Sequence, residues 1–291
     1  MAIELQPATP AQFDEIYPVL SEFANPRMSR EDWRRMMFDL PWPVAEDHRG
    51  FVLRDGDEVV GFIGTIFSSR LLGGVTHRFC NLSSWIVRDS HRNSSLRLLA
   101  AVLALKSHTL VALTPSGPAY DVYVRVGFRP LETAKILLPP LARPGNLLRV
   151  PGTSVTTRIE AIRAELDEPG RAVADHMAGT LAGQALLRVG VRRCHLVATR
   201  TPWKGRWRLA HVLHASDWGL FWEHATLASF AFSRVLGTVG LRVDSRHLSG
   251  RRPPLSIQRA LTLPDLYRPA IPELLPSLID GLYTEVVGLR W

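Results

Sequence analysis

The chain has 291 residues, 46% hydrophobic and 21% charged, enough for two cores at about 100–200 residues each and too apolar for extended disorder. Two cysteines, Cys80 and Cys194, exclude a disulfide framework and a cysteine-rich zinc module. No apolar run reaches the ~18 residues of a membrane span and residues 1–18 lack the core of a secretion signal, so a cytoplasmic protein without a membrane span is expected.

The formal charge of +8 arises from 35 basic residues against 27 acidic ones, and all but three of the basic residues are arginines. No arginine run exceeds two, which argues against a nucleic-acid-binding arm or helix. Two readings remain: a solvated basic surface, or arginines that hold an anionic ligand such as a phosphate.

Residues 3–6 alternate as a short strand, and Phe13, Ile16, Tyr17 and Leu20 recur at helical spacing within 10–22. Ser29, followed by Glu31 and Asp32, starts a helix running to about Met37. Apolar runs at 51–53 and 58–67 flank Asp55-Gly56-Asp57, a hairpin signal. A third run, 81–87, precedes a polar turn and a helix over 94–105. A buried strand at 109–113, a turn at 114–118, a helix at 119–126 stopped by Gly127, and a strand at 128–138 follow. This β-α-α-β-β-β-α-β-α-β order predicts a mixed sheet with helices on its faces, an α/β fold. Pro139-Pro140 and Pro144-Gly145 mark a linker.

The second half predicts strand or helix over 156–165, a helix over 169–188 with a break at Gly179, and strands at 194–199 and 207–214. Asp217 caps a long helix to about Leu236, a strand spans 239–243, and 257–263 is a further apolar segment. A helix over 272–282 and a closing strand over 283–290 complete the chain. The order echoes the first half without a detectable sequence repeat. Trp218, Phe221 and Trp222 read as an interlobe core. His211 and His214, three apart on a strand, point to opposite faces and cannot share a metal. Asp175-His176, Glu223, Asp244 and Arg246 read as capping or solvating charges, and no metal ligand set stands out.

Two stretches carry chemistry. In Ser84-Trp-Ile-Val-Arg-Asp-Ser-His-Arg-Asn-Ser-Ser-Leu-Arg97 a strand ending at Val87 turns into a helix starting near Ser94. Such a junction presents backbone N–H groups and a positive helix end to an anion, with Arg88 and Arg92 beside it; it is equally an ordinary serine-capped βα turn. In Tyr120-Asp-Val-Tyr-Val-Arg-Val-Gly-Phe128 a short helix sets Tyr123 four residues before Gly127. A phenol there either donates a proton to a leaving thiolate or simply covers the sheet edge.

Together these stretches resemble the GCN5-related N-acetyltransferase (GNAT) superfamily over about residues 1–138. That family's pyrophosphate loop, [Gln/Arg]-x-x-Gly-x-[Gly/Ala], falls on Arg92-Asn93-Ser94-Ser95-Leu96-Arg97, where Ser95 and Arg97 stand in the glycine positions. Its later motif, Asn-x-x-Ala-x-x-x-Tyr-x-x-x-Gly-Phe, matches at Ala119, Tyr123, Gly127 and Phe128, with Ser116 in place of asparagine.

The resemblance implies a GNAT-like lobe over 1–140 and a second α/β lobe over 141–291, in tandem, the second degenerate and on the acceptor side or structural. It implies acetyl-CoA or another acyl-CoA as co-substrate, bound by Trp85, Ile86, Val87, Arg92, Asn93, Ser94, Ser95, Leu96, Arg97 and Ser116. Tyr123 is then the general acid, and the acceptor is an amine of a small molecule or sugar. Asn81 and Ser83 on the preceding strand are not basic and His77 and His91 are the nearest imidazoles, so the base stays open. The alternative is a GNAT-fold binding or scaffold protein that no longer catalyses.

Overall fold

The computed structural model describes residues 3–290 except 24, 26 and 140–151. From Pro140 onward, the linker expected near 139–145 lies outside the described residues. The first half folds in the expected order: β1 (Glu4–Pro7), α1 (Phe13–Ser21), α2 (Arg30–Met37), β2 (Gly50–Asp55), β3 (Glu58–Leu72), β4 (Val75–Val87), α3 (Ser95–Leu103), β5 (His108–Ala112), α4 (Gly117–Arg125) and β6 (Arg129–Leu138). Ser29 caps α2 with a capping box. Its hydroxyl accepts from the Asp32 amide at 3.1 Å, and its own amide donates to the Asp32 carboxylate at 3.0 Å.

The second half contains β7 (Thr153–Thr156), α5 (Ile159–Glu165), α6 (Glu168–Ala178), β8 (Gly183–Val189), β9 (Arg192–Trp203), β10 (Trp207–Ala215), α7 (Trp218–Glu223), α8 (Ala225–Leu236), β11 (Leu241–Asp244) and β12 (Ile257–Arg268). Four sequence expectations are corrected. The helix expected over 169–188 is α6 followed by the strand β8. The helix from Asp217 breaks at His224, whose φ of −127° and ψ of 27° are not helical. The apolar segment at 257–263 is part of the longer strand β12. Residues 272–290 form only short 3-10 turns, at Pro276–Leu278 and Glu285–Val287, rather than a helix and a strand.

The described residues fall into two compact units. The first comprises Met1–Leu131, Leu263–Leu278 and Tyr283–Arg290; the second comprises Glu132–Thr262 and Ile279–Leu282. In the first, β1 to β4 form an antiparallel meander, β5 joins β4 in parallel, and the end of β12 pairs antiparallel with β5 through Leu266 and Ala112. In the second, β7 to β10 form the meander, β11 joins β10 in parallel, and β6 pairs antiparallel with β11 through Ile136 and Val243. Each unit thus repeats one plan. Each also takes its last strand from the other half of the sequence, a non-local exchange that no local pattern announces.

In the first unit α3 and α4 pack Leu98, Leu99, Val102 and Tyr123 against Ile63, Phe67, Leu82 and Leu110. Phe13 on α1 meets Phe38, the C-cap of α2, edge to face, and Phe38 stacks on Phe62. In the second, Leu220, Phe221 and Phe232 cover Leu187, Leu196, Val212 and Leu241. Trp218 and Trp222 join this core, so the aromatic cluster expected between lobes belongs to the second unit's own interior. Burying each large apolar side chain contributes about 2 kcal/mol.

Candidate active site

Strands β4 and β5 of the first unit pair only from Arg78 to Asn81 and from His108 to Val111. Past that point the ladder stops. At the same place the β3–β4 ladder slips: Phe62 faces Ile86 and Gly64 faces Ser83, so Ser84 and Trp85 together oppose Ile63. This is a β-bulge, and Ser84 sits in it with φ of +54°. A bulge bends its strand and re-aims side chains. Here it falls where the β4–β5 ladder ends, so beyond Asn81 and Val111 the two strands form a fork that pairing does not bridge.

Asn81 fastens the fork. Buried to 1% exposure, it donates to the carbonyls of Val111 and Leu82, both at 3.3 Å.

Tyr123 enters the fork from α4. That helix ends in a Schellman turn: the Phe128 amide donates to Tyr123 O at 3.0 Å, and the Gly127 amide to Val124 O at 3.1 Å. Gly127 has φ of +92°, a conformation that any side chain would strain. The Tyr-x-x-x-Gly-Phe spacing is therefore the spacing of a helix cap, and it fixes the tyrosine ring. The ring lies 5.7 Å from Trp85 and 5.0 Å from Phe128. Burial pushes the Tyr123 phenol well above its usual pKa, and the charges of Glu285 and Cys80 push the same way. The phenol therefore stays protonated and keeps a proton to donate.

The residues expected to hold the coenzyme lie in three places. Trp85, Ile86 and Val87 close β4, half-buried, beside Tyr123. Arg92, Asn93 and Ser94 lie in a 3-10 segment, Asp89–Ser94, and Ser95, Leu96 and Arg97 in the first turn of α3. Ser116 is the N-cap of α4.

The turn from 88 to 97 keeps its arginines engaged. Arg88 pairs with Glu22 at 3.1 Å and also with Glu58, and Arg92 pairs with Asp89 at 2.8 Å. Arg97 donates to the carbonyl of Ile3 at 2.7 Å. The Ser95 amide bonds to Arg92 O, so the 3-10 turn already uses one of the first amides of α3. The two imidazoles are also placed. His91 bonds Asp55 at 3.2 Å, and His77 pairs in register with Arg70, on β4 well before the bulge.

Sequence reasoning missed Glu285. The segment Tyr283–Arg290 belongs to the first unit, and Glu285 donates its amide to Asn81 Oδ1 at 2.8 Å. Thr114, just past β5, donates its hydroxyl to Glu285 Oε1 at 3.1 Å. Oε2 is buried with no hydrogen-bond partner. Burial pushes the carboxyl up to about 8; its own amide and then Thr114 oppose the rise, and the Asp265 charge adds to it. The only local signal was an isolated acid in an apolar stretch, Leu282 to Leu289.

No protein-family model matches the chain, and no curated protein matches it by sequence. Solved structures do match its fold. A GCN5-related N-acetyltransferase from Kribbella flavida is 15% identical, with a TM-score of 0.58 over 92% of this chain and 71% of that one. Another from Anabaena variabilis is 8% identical, with a TM-score of 0.59 over 93% and 73%. A structure from Pyrococcus horikoshii matches over 98% of this chain and 95% of its own, at 15% identity and a TM-score of 0.55. The fold is that of the GCN5-related N-acetyltransferases. Coverage of nearly the whole chain is consistent with two GNAT-like units in tandem.

The second GNAT-like unit differs at the corresponding turn. Between β10 and α7 the Asp217 carboxylate accepts from the Leu220 amide at 2.8 Å and pairs with Arg192 at 2.9 Å. A carboxylate on the helix start leaves no place there for a phosphate.

Deeper in that unit, Asp244 is paired with Lys135 at 2.6 Å, with His211 at 2.7 Å and with Arg246. Burial alone would raise the Asp244 carboxyl; Arg246, Lys135 and His211 hold it well below the usual range. His214 instead meets Asp280 at 2.8 Å, so the two histidines of β10 serve different partners. Asp175 pairs with Arg163 and Glu223 with Arg192. No group of His, Cys, Asp and Glu among the described residues is arranged to hold a metal ion.

Proposed function

We propose that the chain is an acyl-CoA-dependent N-acyltransferase whose acceptor is a primary amine of a small molecule or sugar. The observation that carries this is the fork beyond Asn81, with a bulged strand on one side and a buried, protonated tyrosine on the other. An acyl-CoA thioester supplies an activated carbonyl. The arm of the donor fits along Trp85 to Val87, where a main-chain N–H can hold the carbonyl oxygen. Tyr123 gives its proton to the sulfur as the carbon–sulfur bond breaks. Asn93, Ser94 and Ser116 supply amide and hydroxyl donors, and Ser95 its hydroxyl, toward the phosphates in place of loop glycines. The amine rather than an alcohol is favoured because it attacks without a strong base.

The turn from 88 to 97 supports a second reading, a GNAT-fold binding module that does not catalyse. Its arginines are tied to Glu22, Glu58, Asp89 and a backbone carbonyl. Thiol release from acetyl-CoA in the presence of benzylamine, tyramine, lysine and glucosamine separates the two. Amine-dependent release supports transfer. Tight acetyl-CoA binding without release to any amine, with Tyr123→Phe indistinguishable from wild type, favours the binding module.

A further inference from the structure

We propose that Glu285 is the group that takes the proton from the acceptor amine. This rests on the transferase reading above and supplies the base that the strand β4 lacks.

Glu285 is brought to the fork by contacts that fix both its backbone and its side chain. Its amide is held by Asn81, the residue at which β4 and β5 part, and its Oε1 by Thr114 at the end of β5. The segment around it is seated on α2. A Cβ on Gly288 would lie 2.8 Å from Met36 Cγ, and Arg290 reaches Asp32 at 2.8 Å. The Glu285 side chain is 1% exposed, yet Oε2 has no partner. An acceptor oxygen left open inside a protein is costly, and such exceptions mark places where something else supplies the donor. An amine N–H is such a donor.

The Thr114 hydroxyl bonds the Glu285 carboxyl, and the charge of Asp265 on β12 raises it further. The acceptor reacts as the neutral amine, whose lone pair is free to attack. Glu285 is held by Asn81 at the last β4–β5 pair and Tyr123 lies beside Trp85 just past it, which puts a proton acceptor and a proton donor at one fork.

The step then balances. The amine nitrogen bonds to the acyl carbon and the carbon–sulfur bond breaks. The nitrogen's proton passes to Glu285 Oε2, and the Tyr123 hydroxyl proton passes to the sulfur. Return of the proton from Glu285 to the tyrosine oxygen restores both, and the net products are an amide and free coenzyme A.

The test compares wild type with Glu285→Gln, which keeps an acceptor oxygen for Thr114. In wild type, kcat/KM for the amine that is turned over falls as pH drops below about 8, because the carboxyl must be ionised. Glu285→Gln is expected to lose about 100-fold in kcat/KM and that pH limb, with acetyl-CoA affinity unchanged. In the free protein, the infrared band of the protonated carboxyl disappears as pH passes about 8 and is missing in Glu285→Gln. Thr114→Val removes a bond to the charged form and moves the midpoint upward. A Glu285→Gln enzyme that keeps both rate and limb overturns the assignment while transfer stands. A wild type that binds no acetyl-CoA overturns the reading beneath it.

Discussion

Burial shifts Tyr123 and Glu285 the same way with different consequences: the phenol keeps its proton, and the carboxyl titrates at about 8. Tyr123→Phe removes the hydroxyl and keeps the ring against Trp85. It is expected to lower kcat about 100-fold with little change in acetyl-CoA affinity, which single-turnover kinetics beside calorimetry would show; full activity would remove its acid role. The two residues also mark what a sequence can and cannot disclose. Tyr123 was legible because its position is a local event, a helix capped by Gly127. Glu285 was not, because its partner Asn81 lies 204 residues away and nothing near it repeats with a period. The resemblance implies Arg97 as a coenzyme ligand, and its bond to Ile3 O is equally invisible in spacing alone.

At the scale of elements, local chemistry was read well and long-range exchange was not. Ser29 and Asp217 cap their helices as expected, since a side-chain oxygen and an amide two or three residues on decide the matter. The strand β8 was taken as helix because its apolar run, Ala185 to Leu187, is too short to carry a period. The pairing of β12 with β5 and of β6 with β11 depends on residues more than a hundred positions apart. Gly127 is the element-level test. Gly127→Ala must hold an L side chain at φ of +92°, and is expected to cost about 1–2 kcal/mol in urea unfolding and to lower turnover by loosening Tyr123. Unchanged stability would mean that the α4 cap does not set the ring.

For the molecule as a whole, buried titratable groups set the pH dependence of stability. Burial lowers His195 and His247 to about 3 and His211 to about 4, from an ordinary value of 6.5. As pH falls from 6.5 toward 4 the unfolded chain binds protons that these folded imidazoles refuse, so stability is lost. Glu285 acts the other way: its folded carboxyl binds a proton below about 8 that the unfolded one releases down to 4.5. Its contribution is complete at low pH and fades as pH rises to about 8. Unfolding near pH 5 is therefore expected to take up about two protons, and about three in Glu285→Gln. The melting temperature is expected to peak near pH 6.5, and a scan across pH 4 to 8 that rises throughout would contradict this. Asp244→Asn strips the anion from between Lys135, His211 and Arg246, and is expected to cost about 3–5 kcal/mol in chemical denaturation. A loss below about 1 kcal/mol would show that the network is dispensable.

Whether the fork of the first unit holds an acyl-CoA is answered most directly by calorimetric titration of acetyl-CoA and coenzyme A into the protein at two salt concentrations. Dissociation constants in the micromolar range, about −8 kcal/mol, are expected for both, with binding weaker at higher salt as phosphates meet the turn from 88 to 97. No heat from either ligand at either salt would contradict the acyl-CoA site and leave the GNAT fold here without its donor.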